Sequence, residues 1–202
     1  MPISPRFLEA VSYAAALHGN QRRKFSGEPY LAHLLAVAAI VMEHGGDEDE
    51  AIAALLHDAA EDQGGPPTLA EIRRRFGEPV AQIVDGCTDT TDNPKPPWRP
   101  RKEAYLVHLP GASASVRLVS AADKLHNARS ILREYRRHGE SIWSLFRGGR
   151  EGTLWYYRAV VESLKRSGSN ALVEELGRAV TELEQLVRST EPHRGTTGNA
   201  EN

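Results

Sequence analysis

The chain carries the stretch ALLHDAAED at residues 54–62, and this stretch decides the predicted fold. Its apolar residues indicate a buried helix, and polar groups such as His57 and Asp58 are rarely buried unless they are paired or bind a metal. On a helix, His57 and Glu61 share one face while Asp58 and Asp62 share the neighbouring face. The stretch therefore predicts a helix that carries half of a metal-assisted hydrolytic site.

Two residues elsewhere could complete the ligand set, namely His33 and Asp123. Each has an ordinary explanation when taken alone, because a single histidine on an apolar helix face is more often a hydrogen-bonded core residue, and Asp123 beside Lys124 could be an exposed charge pair. Their joint occurrence favours a four-ligand site with open positions for water. We therefore predict a metal site assembled from several helices, with the ligands His33, His57, Asp58 and Asp123.

Composition limits the class of protein. With 202 residues, of which 40% are hydrophobic, the chain can bury one sizeable core. A formal net charge of −2 excludes a generally basic nucleic-acid binder, so an anionic ligand must meet a local cluster such as Arg22-Arg23-Lys24. A single cysteine, Cys87, excludes an internal disulfide. Neither a membrane span nor a secretory signal is recognisable, so we expect a cytoplasmic protein without membrane partners.

Helical periodicity dominates the chain, and convincing strand alternation is absent. We predict an all-α, single-domain multi-helix bundle over residues 1–189, with the metal site between helices, and a disordered tail over residues 190–202. Start signals and periodicity place helices from Ser4-Pro5, over 31–44, from Asp47 to about 64, from a Thr68 cap to 77, from 79 through 84, over 101–108, from Ser113 or Ser115 to 137, over 150–166 and over 170–189.

The segment from Thr88 to Pro100 differs from the rest of the chain. It contains four prolines and shows no periodicity, which predicts a loop or a mobile flap. A long loop beside a proposed site is often functional, but a plain surface excursion is about as common. The sequence leaves both interpretations open.

Together these motifs resemble the HD hydrolase domain of RelA/SpoT homologues. The resemblance spans about residues 6–165 in the family's order, and from the length of 202 residues we expect neither the synthetase nor the regulatory domains of the long bifunctional enzymes. The chain is therefore similar to the stand-alone small alarmone hydrolases. The resemblance is carried by HGNQRRK at 18–24, SGEPY at 26–30 leading to His33, ALLHD at 54–58 with Glu61-Asp62, Phe76-Gly77, and ADKLHNAR at 122–129.

The resemblance implies hydrolysis of the 3′-pyrophosphate of guanosine tetra- or pentaphosphate to GDP or GTP plus pyrophosphate, with Mn²⁺ as the cofactor. It implies that Glu61 and Asp62 are the catalytic residues, which serve the metal-bound water or the leaving 3′-oxygen. The metal identity comes from the resemblance alone, because mixed nitrogen and oxygen ligands also suit zinc or iron. The implied nucleotide-binding residues are Arg23, Lys24, Asn127, Arg129 and Ser130.

Several of these residues have alternative explanations. A run such as Arg22-Arg23-Lys24 is more often a solvated loop. Arg129 lies six positions after Asp123, off the face that Asp123 shares with Asn127. Tyr157 could stack on the base, although aromatic residues in an amphipathic helix usually belong to the core.

Two other functions also remain open. A related enzyme could act on an adenosine alarmone or on the 2′-phosphate of NADPH, and a non-catalytic nucleotide-binding module could keep the same scaffold. The intact Glu61-Asp62 pair argues against the binding module, because a pure binder has no need of groups that exchange protons. In each case the expected partner is a small-molecule nucleotide.

Overall fold

The computed structural model of the protein describes residues 4–24, 26–92 and 94–190, and the described residues form no strand beyond one isolated bridge between Arg22 and Pro29. The all-α prediction is confirmed. Residues 191–202 of the predicted disordered tail lie outside the described residues. The helices are α1 (Pro5–His18), α2 (Tyr30–Glu43), α3 (Glu48–Leu56), α4 (Ala59–Asp62), α5 (Pro66–Phe76), α6 (Glu78–Cys87), α7 (Trp98–His108), α8 (Ala114–His138), α9 (Gly149–Arg166) and α10 (Ala171–Ser189).

Four helix starts among the described residues follow from local capping chemistry. The Ser4 side chain accepts a hydrogen bond from the backbone of Arg6 at the start of α1, and Asp47 forms a capping box with Glu50 at the start of α3. At the start of α8 the Ser113 side chain accepts a hydrogen bond from the backbone of Val116. Such caps satisfy backbone N–H groups that have no partner within the helix, which explains why these predicted starts agree with the structure.

The helix predicted from Asp47 to about residue 64 is interrupted at the His57-Asp58 pair. Helix α3 ends at Leu56, and α4 resumes at Ala59. The imidazole Nδ1 of His57 lies 2.8 Å from the carbonyl oxygen of Ala54, which in an unbroken helix would accept from the backbone of Asp58. We infer that this side chain competes with the helical hydrogen bond and breaks the helix at the functional pair.

Three other predicted boundaries need correction. Helix α5 starts at Pro66, where proline is well placed in a first turn, so Thr68 lies inside the helix and donates to the carbonyl of Gln63. Helix α6 continues to Cys87, beyond the predicted end at 84. Helix α7 begins at Trp98, inside the predicted 88–100 loop. The sequence also gave no indication of a 3₁₀ helix at Gly139–Leu145.

Helices α2, α3 and α8 pack against one another in the core. All six residues from Ala51 to Leu56 are buried with no exposed surface, and three of them are alanines, which let neighbouring helices approach closely. Burying a leucine such as Leu55 stabilises the fold by about 1.5–3 kcal/mol. This packing brings His33 on α2, the α3–α4 break and Asp123 on α8 to one place. No helix among the described residues is both long and apolar enough to cross a membrane.

Candidate metal centre and substrate cavity

The four predicted metal ligands converge from three parts of the fold. His33 lies in the first turns of α2, His57 and Asp58 form the α3–α4 break, and Asp123 lies in the middle of α8. His33, His57 and Asp123 expose 1%, 3% and 5% of their surface, so these polar groups are buried and need partners.

Their ligand atoms surround one small volume. His33, His57 and Asp58 each offer an atom within 4.8 Å of the others. Oδ1 of Asp123 lies 3.2 Å from His33 Nε2 and 3.5 Å from His57 Nε2, while Oδ2 of Asp58 lies 3.7 Å and 3.1 Å from the same two atoms. Ligands about 2.1 Å from a cation lie about 3.0 Å apart in an octahedron and about 3.4 Å apart in a tetrahedron. The separations of the two carboxylates from the two imidazoles, 3.1–3.7 Å, are close to these values, and the residues whose ligand atoms all lie within 4.8 Å of one another are His33, His57 and Asp58.

The hydrogen bonds of the imidazoles also fit a metal. Neither Nε2 atom of His33 or His57 makes a well-aligned hydrogen bond among the described residues, although both are buried and carboxylate oxygens lie 3.1–3.7 Å away. The opposite nitrogen of His57 lies against the carbonyl of Ala54, and that of His33 lies 2.8 Å from Nδ1 of His126. Because a carbonyl only accepts, Nδ1 of His57 carries the proton and its Nε2 lone pair is left for a metal; a proton on Nδ1 of His33, donated to His126, would have the same effect there.

Electrostatics in the metal-free centre support the same interpretation. Burial lowers the pKa of His57, but Asp58 and Asp123 outweigh this effect and hold it well above its usual value. Burial raises the pKa of the Asp58 carboxyl, but His57 outweighs this effect and holds that pKa well below its usual range. Burial also raises the pKa of Asp123, which Lys124 in turn holds well below its usual range. The carboxylates therefore favour positive charge beside the imidazoles, which a bound cation would supply in place of a proton.

A surrounding layer orients the ligands. The Tyr30 hydroxyl donates to Oδ2 of Asp58 at 2.5 Å, and the Lys124 ammonium pairs with Oδ2 of Asp123. The side chain of Asn127 donates to Oδ1 of Asp123 and accepts from Arg23 at 2.7 Å. Asn127 thus links the predicted nucleotide-binding Arg23 to a predicted metal ligand.

The carboxylate pair Glu61-Asp62 lines the same cavity as the ligands. The ammonium of Lys95 lies 2.9 Å from Glu61 Oε1 and 3.2 Å from Asp62 Oδ1. The other oxygen of Asp62 accepts from Nε2 of Gln21 at 3.1 Å. Lys95 belongs to the 88–100 segment, so part of this segment reaches the site.

A cavity of about 650 Å³ is lined by three of the four predicted ligands, His57, Asp58 and Asp123. Five of the six predicted substrate residues line it, although Ser130 and Tyr157 are largely buried. Those five are Arg23, Lys24, Asn127, Ser130 and Tyr157.

Arg129 needs correction as a predicted substrate residue. Its guanidinium pairs with Glu175 on α10, and its side chain is half exposed. Six positions along a helix correspond to about 600°, which places Arg129 about 120° around the helix from Asp123. Within the described residues, Arg129 therefore belongs to the contact between α8 and α10 and lies outside the cavity.

Sequence reasoning missed several cavity residues around α7. Arg101 and Lys102 line the cavity and both pair with the buried carboxylate of Asp89, while Trp98 covers another part of the wall. The adjacent basic pair Arg101-Lys102, placed just after the proline-rich segment, was a usable signal for a local anion site.

An all-α bundle that gathers two histidines and two aspartates around a polar cavity defines the class of HD-domain proteins. The sequence model of the HD domain family matches residues 10–154, and the chain belongs to this family.

The chain is similar to several curated proteins. It is 43% identical over 129 residues to guanosine-3′,5′-bis(diphosphate) 3′-pyrophosphohydrolase MESH1 of Xenopus tropicalis, an alignment that covers 62% of this chain and 69% of that protein. It is 39% identical over 171 residues to the Danio rerio protein of the same name, covering 83% and 88%. It is 35% identical over 132 residues to the bifunctional (p)ppGpp synthase/hydrolase SpoT of Escherichia coli, covering 62% of this chain and 18% of SpoT.

A solved structure shares the fold as well. The structure described as "A metazoan ortholog of SpoT hydrolyzes ppGpp and plays a role in starvation responses" superposes with a TM-score of 0.71 at 26% identity, covering 94% of this chain and 97% of that one. The similarity therefore extends over nearly the whole chain.

Proposed function

We propose that this protein is a hydrolase that removes the 3′-pyrophosphate from guanosine tetra- or pentaphosphate, releasing pyrophosphate and GDP or GTP. One observation carries the proposal: the ligand atoms of His33, His57, Asp58 and Asp123 converge beside a cavity that also holds Glu61 and Asp62. Relatives that carry the name of this activity are up to 43% identical to the chain.

The residues fit a divalent cation, which we propose to be Mn²⁺. Two neutral imidazoles and two carboxylates suit this ion. The buried Nε2 atoms of His33 and His57 can coordinate it. When bound, the cation neutralises charge on phosphate oxygens and makes water more acidic. The protein holds the two carboxylate ligands in place through contacts from Tyr30 to Asp58 and from Lys124 and Asn127 to Asp123.

Glu61 and Asp62 supply proton transfer in this proposal. Both carboxylates are partly exposed to the cavity, so they can take a proton from water or return one to the leaving 3′-oxygen. Lys95 lies between them and offsets their mutual repulsion.

The substrate side of the cavity is cationic, although the chain has a formal net charge of −2. Arg23 presents a planar fork that suits phosphate or a nucleotide base, and Lys24 supplies a point charge. Asn127 and Ser130 offer polar contacts, and Tyr157 forms part of an aromatic wall. The cationic residues lining the cavity are Arg22, Arg23, Lys24, Lys95, Arg101, Lys102, Lys124 and Arg147.

The test is a product assay with Mn²⁺ and a panel of nucleotides: guanosine tetraphosphate, an adenosine alarmone and NADPH. We expect pyrophosphate and GDP from guanosine tetraphosphate, identified by phosphorus NMR. Asp123→Asn removes a proposed ligand and should abolish turnover, whereas Asp85→Asn changes an exposed aspartate on α6 and should retain it. Turnover of NADPH alone, or none with any nucleotide, contradicts the proposal.

A further inference from the structure

The side chain of Gln21 connects the loop after α1 to the carboxylate pair. Its Oε1 atom lies 2.7 Å from Nδ1 of His18 and 2.7 Å from Nε2 of Gln63. Its Nε2 atom lies 3.1 Å from Oδ2 of Asp62. His18 is buried, and its ring is stacked on Tyr30 with the centroids 5.2 Å apart. The amide thus lies between a rigid ring and a proposed catalytic carboxylate.

This arrangement fixes which end of the amide faces Asp62. An amide oxygen only accepts hydrogen bonds, and an amide NH₂ group only donates. Because Gln63 donates to Oε1 of Gln21, the NH₂ group must face Asp62, and His18 then donates through its Nδ1–H. A donor held in this way favours one orientation of the carboxylate.

Asp62 is held at both oxygens, since Lys95 donates to Oδ1 while Gln21 donates to Oδ2. We propose that Gln21 is a positioning residue that orients the Asp62 carboxylate toward the cavity and acts through it. This inference rests on the proposed function, in which Asp62 exchanges a proton. The HGNQ segment at 18–21 contains neither a proposed metal ligand nor a proposed nucleotide-binding residue, and this inference gives it a role.

A double-mutant cycle between Gln21 and Asp62 tests the inference. Gln21→Glu keeps the size of the side chain and the acceptor for His18 and Gln63, but turns a carboxylate oxygen toward Asp62. We expect kcat to fall about 10–100-fold, because a displaced catalytic group costs on this order. KM should rise as well, because Gln21 lines the cavity and a carboxylate there repels an anionic nucleotide, so the loss in kcat is the quantity that reports on positioning.

The combined variant separates positioning from general damage. In the combined variant, Gln21→Glu with Asp62→Asn, the amide at position 62 donates to the carboxylate at position 21, so the hydrogen bond is restored in the opposite direction. The Asp62 carboxylate that exchanges the proton is absent. Its kcat should therefore equal that of Asp62→Asn alone. A matched control is Gln82→Glu on α6, where Gln82 donates to Glu78 at 3.1 Å on an exposed surface, and we expect this variant to keep wild-type kcat.

Two results overturn the inference: a Gln21→Glu variant with wild-type kcat, or losses that multiply in the combined variant. Thermal unfolding of the metal-free proteins gives a readout independent of turnover. Gln21→Glu should lower Tm and the added Asp62→Asn should recover it, whereas equal Tm values for both variants contradict the contact. If the wild type releases no pyrophosphate, the proposed function fails while this unfolding cycle still tests the contact.

Discussion

Removing the carboxylate of Asp89 should destabilise the protein strongly. The Asp89 side chain is 4% exposed and accepts from Arg101, which is 7% exposed, and from Lys102 at 2.6 Å. These contacts tie the start of the 88–100 segment to α7 and so close the loop that carries Lys95. Asp89→Ala leaves the Arg101 guanidinium buried without its closest carboxylate.

Breaking a buried ion pair from one side costs about 3–5 kcal/mol. For a chain of this size, about 1 kcal/mol lowers Tm by roughly 2–4 °C, so Asp89→Ala should lower Tm by about 6–20 °C. Asp85→Ala, which alters an exposed residue on α6, should change stability by no more than about 0.5 kcal/mol. Urea unfolding monitored by circular dichroism measures both differences.

A second substitution at Arg101 shows whether its unpaired buried charge causes the loss of stability in Asp89→Ala. Adding Arg101→Met to Asp89→Ala removes the unpaired guanidinium, so it should recover most of the lost stability. An Asp89→Ala variant within about 1 kcal/mol of the wild type, or a double variant less stable than either single one, refutes the reasoning.

The pH dependence has a definite sign. Burial raises the pKa of Asp89, but Lys102 and Arg101 outweigh this effect and hold it below its usual value. A depressed folded-state pKa contributes stability that is present above the unfolded-state value of about 3.9 and is lost as the pH falls through the folded-state value. The stability difference between wild type and Asp89→Ala should therefore narrow in acid.

Three further predictions concern the site and its wall. Arg23→Ala should raise KM by about 10-fold or more, because it removes a charge-assisted contact to substrate, whereas Arg129→Ala should leave steady-state kinetics unchanged. Gly148→Ala places a Cβ atom 2.7 Å from the ring of Trp98, so tryptophan fluorescence and turnover should both change if the ring shifts as expected. Mn²⁺ affinity measured by calorimetry should weaken as the pH falls, because the ion competes with a proton on His57; affinity that does not vary with pH contradicts this.

The sequence could indicate which polar residues the structure brings together at the proposed metal centre, because each of them lies in a distinctive local context. A His-Asp pair inside an apolar run has few stable environments, and His33 and Asp123 lie in similar apolar contexts. The break at His57 could not be predicted from periodicity, because it depends on a side-chain contact with the Ala54 carbonyl. Sequence spacing predicts which face a residue occupies but does not detect this competition.

The substrate wall was harder to predict for two physical reasons. Lys95 lies in a proline-rich segment without periodicity, so nothing in the pattern indicates the direction of its side chain. Arg129 was included on the basis of family resemblance, although its position on α8 turns it toward Glu175. Helix phase was the better guide at that residue.

The most direct test of the central claim is an electron paramagnetic resonance titration of the metal-free protein with Mn²⁺, which counts bound ions from the loss of the free-ion signal. We predict one tightly bound ion in the wild type and in Asp85→Asn, and none in His57→Ala or Asp123→Asn. A wild type that binds no ion, or an Asp123→Asn variant that binds it as tightly as the wild type, contradicts the claim that these helices build one cation site.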